Sequence, residues 1–133
     1  MILREKASET VAELLRRDGN ISVWWGTWVE CSVAISRSRR EARLTEDAEV
    51  KARSRLDFLA NTWRETRPYD DLRLLASLLS RDYALKAADA LQLAAALRWC
   101  KTNTVGAAFV CLDDQLRRAA SDEGFQVLPE ELV

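Results

Sequence analysis

Three short segments rich in β-branched and aromatic residues, "ISVWW" (21–25), "AAFVCLD" (107–113) and "FQVLP" (125–129), punctuate a chain that otherwise reads as helix. Each has the length and composition of a buried strand. Several helices fit between the first and second of them, and one helix fits between the second and third. Strands joined by helical crossovers pair in parallel and need cover on both faces. The order predicts an α/β domain, three-layer α/β/α, with a short and mainly parallel sheet. "TRPYDD" (66–71) adds a short edge strand and turn, because Pro68 has no place inside a central ladder.

The helical stretches carry their own punctuation. "REKASETVAELLRRDGN" has helical spacing through Val11, Leu14 and Leu15 and stops at Asp18-Gly19-Asn20. A long helix opens near Trp28. Thr45 caps the next, with Glu46 and Asp47 at its positive end and Val50, Leu56, Phe58 and Leu59 as its apolar positions. Asp70 or Asp71 starts "LRLLASLLSRDY", and "KAADALQLAAALRW" (86–99) follows. A last helix runs from about Asp114 to Glu123, with Gly124 as its left-handed cap. No repeat, linker or low-complexity segment interrupts the 133 residues, so one domain is expected.

Composition narrows the chemistry. Hydrophobic residues make up 48% and charged residues 31%, and the formal net charge is −1, so no global basicity draws the chain to nucleic acid. Cys31, Cys100 and Cys111 form no CxxC pair and read as buried, reduced thiols. No signal peptide and no apolar run of membrane-spanning length is legible, which makes the cytoplasm the expected location. There are 0 histidines. A Ser-His-Asp triad, a Cys-His pair and a His-ligated zinc are all excluded. Hydrolytic chemistry in this chain would run on carboxylates and a hard cation held by oxygen.

Three carboxylates stand where strands give way to helices: Glu30, Asp89 and Asp113. In a parallel α/β sheet that is where ligands gather. Each has a simpler account. Thr27-Trp-Val-Glu30 has the spacing of a capping box, Asp89-Ala-Leu-Gln92 that of an aspartate cap with a reciprocal Gln92, and Asp113 can cap the helix at Asp114. Against this, Asp89 shares a helical face with Gln92, Leu93 and Ala96. That face points at the core, where a bare carboxylate needs a proton, a partner or a cation. Arg37, Arg39, Arg40 and Arg43 form a basic run that suits RNA phosphates or, equally, a solvated helix end. Trp24, Trp25 and Trp28 suit unpaired bases, or the core or a dimer interface.

"TWVECSVAISR", "AADALQLAAAL" and "AAFVCLDDQLRRAASDEGFQVL", in that order, resemble the PIN-domain family, specifically its VapC-type toxin ribonucleases. The resemblance spans nearly the whole chain. It puts Glu30, Asp89 and Asp113 on the family's acidic positions, Asp114 one place beyond the expected one, and Gln92 where many members have His. It implies a metal-dependent endoribonuclease, the toxin of a toxin–antitoxin pair. Asp89 and Asp113 would hold Mg2+ or Mn2+, with Glu30 beside them. RNA is the implied substrate, and a cognate antitoxin and a second copy are the implied partners. The family begins with a central strand ending in Asp. No counterpart precedes "LREKASETVAELL", and Glu5 is the only nearby acid. The chain therefore reads as N-terminally shortened, with weak metal binding and poor cleavage expected. The alternative is a non-catalytic PIN-like binding protein that keeps antitoxin or RNA binding without cleavage.

Overall fold

A computed structural model describes Glu13, Arg17 and residues 20–131. The rest of the expected first helix, and Glu5, lie outside the described residues. The chain order is β1 (Ser22–Trp24), α1 (Thr27–Arg40), α2 (Glu46–Thr62), β2 (Arg64–Thr66), α3 (Asp70–Asp82), α4 (Ala87–Trp99), β3 (Ala108–Val110), α5 (Asp114–Asp122) and β4 (Gln126–Leu128). The fold is mixed α/β, as the alternation of segments predicts.

One continuous sheet is not what forms. Among the described residues β1 pairs in parallel with β2, and β3 in parallel with β4, as two separate two-stranded sheets. β2 lies just before Pro68, within a residue or two of the expected edge strand. The first sheet lies on α4 and the second on α5. Trp24 of β1 packs against the apolar cluster around α4, and Phe109 and Val127 bring β3 and β4 into the same cluster.

α4 is the centre of the molecule because its sequence is apolar all round. Alanine and leucine leave it no polar stripe to turn towards water, and a helix of that kind is stable only when enclosed. Ala90, Leu93, Ala94, Ala95 and Leu97 are all buried, Leu93 and Ala94 completely. Around them pack Leu72, Ala76 and Leu79 of α3, Leu116, Ala119 and Ala120 of α5, and Phe109 and Phe125.

Two expectations about burial are corrected. On α2 only Leu56 is buried, while Val50 and Phe58 stand in solvent at 61% and 70% exposure. In β3 only Phe109 is buried, so the strand has one covered face rather than two. The tryptophans are also absent from the buried core: Trp24 is half-buried against it, and Trp25, Trp28 and Trp99 are exposed.

Local caps behave as their residue types require. Thr45 accepts a hydrogen bond from Ala48 N at 3.1 Å. The end of α5 is a Schellman turn: Gly124 at φ +97° donates to Ser121 O, and Phe125 N to Ala120 O. α1 is fastened to α2 chiefly by Arg53, with an Arg39–Glu49 ion pair beside it. Arg53 donates to Ser32 Oγ at 3.1 Å, Ser36 Oγ at 2.9 Å and Glu49 at 3.2 Å. That clamp fixes the helix carrying Glu30.

Candidate functional site

Glu30 lies in the first turn of α1, but it forms no capping box. The helix starts from Gly26 without a side-chain cap, and Thr27 is already helical. The carboxylate turns instead towards α4, where Gln92 Nε2 donates to it from 62 residues away. The nearby Trp24 indole N–H favours its charged form as well. Glu30 is thus held by residues of two different elements. Gly26 makes this possible, since a Cβ there would lie 2.3 Å from Trp24 Nε1. Gly26→Ala therefore has to displace the indole from Glu30. With φ at −73° the backbone itself tolerates alanine, so the cost is one of overpacking, about 1–3 kcal/mol in urea unfolding.

Asp89 is not a cap either. The N-cap of α4 is Lys86, which gives no side-chain cap bond, and Asp89 sits in the first helical turn. Gln92, its expected reciprocal partner, is committed to Glu30. Burial holds the Asp89 carboxyl above its ordinary value, the charge of Asp113 raises it further, and Lys86 opposes both. Glu30 is raised too, mainly by burial and then by Asp89, while its bonds from Gln92 and Trp24 act the other way.

Asp113 follows the capping account. Its Oδ2 accepts from Leu116 N at 3.0 Å, and it starts α5. Its other oxygen, Oδ1, takes no part in that bond. Asp114 is the first helical residue and is exposed.

The three carboxylates thus form a row with Asp89 in the middle, coupled to Glu30 on one side and Asp113 on the other. They do not close into a cage. Among the described residues no three of His, Cys, Asp and Glu are grouped so as to hold one metal ion. The donor set nevertheless has the chemistry of a hard-cation site. All its atoms are carboxylate oxygens, two of the three acids are held above their ordinary values by burial and mutual repulsion, and a bound cation reverses both effects.

The cysteines play no part in such a set. All three are free and half-buried rather than fully buried. Burial pushes the Cys111 thiol up to about 12 despite Arg117 nearby, and Cys31 is raised by burial and by Glu30. Thiols in that state are poor ligands and poor nucleophiles.

The basic run divides. Arg39 pairs with Glu49 at 3.3 Å and Arg43 with Glu41, while Arg37 and Arg40 at the end of α1 form no ion pair among the described residues. Arg37 also lines an open cavity of about 540 Å3 together with Trp24, Trp25, Val29 and Glu30.

Gln92 and Trp24 both stand out in the sequence, but their role beside Glu30 does not, since local spacing assigns Gln92 to Asp89. No helix among the described residues is long and apolar enough to cross a membrane. No protein-family model, no curated protein and no solved structure matches the chain.

Proposed function

We propose that the protein is a metal-dependent endoribonuclease of PIN-like fold, hydrolysing RNA phosphodiester bonds as the toxin of a toxin–antitoxin pair. The observation that carries this reading is Asp89. It is a carboxylate in the first turn of a buried helix, raised by burial and by a second acid, and it caps nothing.

Asp89 and Asp113 are the residues that would hold Mg2+ or Mn2+, with Glu30 reaching it directly or through water. Bound there, the ion would supply a water of lowered pKa and neutralise charge on the phosphate. The chain's own residues do the positioning. Gln92 and Trp24 fix Glu30, Asp113 keeps Oδ1 outside its cap bond, and Arg37 and Arg40, which pair with no acid among the described residues, offer guanidinium groups for the RNA backbone. An antitoxin and a second copy of the chain are the partners this reading brings, and the cytoplasm its setting.

The competing reading is a PIN-like binding protein that cuts nothing, and the Asp113 cap together with the open row of acids favours it. Metal titration separates the two. If the proposal holds, Mg2+ or Mn2+ raises the melting temperature, because binding to the folded chain alone stabilises it. The same ions then switch on cleavage of a structured RNA, and EDTA reverses both. A melting curve unmoved by either metal at millimolar concentration, with intact RNA, leaves the binding reading.

A further inference from the structure

The cavity of about 540 Å3 beside Glu30 is lined mainly by carbon: Trp24, Trp25, Val29, Val33 and Leu91. Its size is that of a small-molecule site. Trp25 is 47% exposed, and its ring meets Trp24 edge-to-face at 6.0 Å. Two charged side chains join this apolar lining. Glu30 connects it to the row of carboxylates. Arg37, seven residues and about two helical turns further along α1, pairs with no acid among the described residues, although Arg39 and Arg43 both do.

We infer that this cavity is a nucleotide subsite for single-stranded RNA, with an unpaired base against Trp25 and the neighbouring phosphate on Arg37. Every base has a π-face, so an aromatic wall takes it whatever the sequence, and a guanidinium fork matches phosphate oxygens. The inference rests on the nuclease reading for its ligand, because the cavity that Arg37 lines extends to Glu30, one of the carboxylates proposed to act on RNA.

Binding is measured in EDTA, where nothing is cleaved, by fluorescence anisotropy of a labelled ten-nucleotide single-stranded RNA. Trp25→Ala and Arg37→Gln are each expected to weaken binding at least about tenfold. Trp25→Phe keeps a stacking face and retains most of it. Trp99→Ala, which removes an indole that is 51% exposed but outside the cavity, leaves it unchanged. With an oligonucleotide made of abasic sites the Trp25→Ala penalty disappears. Equal binding by Trp25→Ala and the unaltered chain overturns the subsite. So does a concentration-dependent dimer that Trp25→Ala dissolves while RNA affinity stays the same, which assigns the cavity to a second copy. The two readings fail separately. RNA binding that depends on Trp25 without metal-dependent cleavage removes the nuclease and keeps the subsite. Cleavage that ignores Trp25 and Arg37 does the reverse.

Discussion

Asp89→Asn is expected to abolish Mg2+-dependent RNA cleavage while changing the stability of the fold by no more than about 1 kcal/mol. The two halves of that result have separate causes. Asparagine keeps the shape of the side chain and one carbonyl oxygen, but it brings no negative charge to a hard cation. On the stability side, opposing effects nearly balance. A carboxylate in a first helical turn gains about 0.3–1 kcal/mol from the helix dipole, and asparagine gives that up.

Against this stands the cost of the charge. In the folded chain the Asp89 carboxyl titrates above its ordinary 3.8, so between 3.8 and that raised value the native state binds more protons than the unfolded one. Stability then falls as pH rises through this window, and at neutral pH the whole penalty is present. Asparagine removes it. Melting followed from pH 3 to 7 should therefore show a shallower decline for the variant than for the unaltered chain. The stabilisation by Mg2+ seen in the unaltered chain should be missing. Full cleavage by Asp89→Asn would show that the carboxylate has no metal role and that Gln92 and Glu30 are structural.

Much of the secondary structure was legible because its determinants are local. Thr45, Asp113 and Gly124 act within four residues of themselves, and the helices and strands end close to where those residues put them. The position of all three acids near helix starts was legible for the same reason. What each acid does there was not, because the deciding partners are remote. Glu30 has the spacing of a capping box, and only the tertiary fold hands its carboxylate to Gln92 of α4. Periodicity likewise shows that α2 has an apolar face without saying whether anything covers it, and Val50 and Phe58 are left open. Strand pairing is the longest-ranged case. Three-residue strands carry too little pattern to specify a neighbour, so the division into β1–β2 and β3–β4 had no local signal.

The largest effect on stability is expected at Gly124. Gly124→Ala should cost about 2–4 kcal/mol, from two contributions. At φ +97° an L-residue brings its Cβ against the backbone, which accounts for about 1–2 kcal/mol. The remainder is steric. The new Cβ would lie 2.4 Å from Thr104 Oγ1, in a side chain only 8% exposed whose hydroxyl donates to Glu123 O at 2.9 Å. Relieving that overlap breaks the bond tying the loop before β3 to the end of α5, so the packing penalty and the lost bond fall on the same substitution. Gly106 separates the contributions. It also has a positive φ, +77°, but nothing lies within 4 Å of its would-be Cβ, so Gly106→Ala should cost the backbone share alone. Urea midpoints at unchanged slope give both values. Repeating Gly124→Ala in a Thr104→Ala background removes the clashing oxygen, and the cost there should fall towards that of Gly106→Ala. If the two glycine substitutions cost the same in the unaltered chain, the contact with Thr104 contributes nothing and backbone strain alone explains the need for glycine at 124.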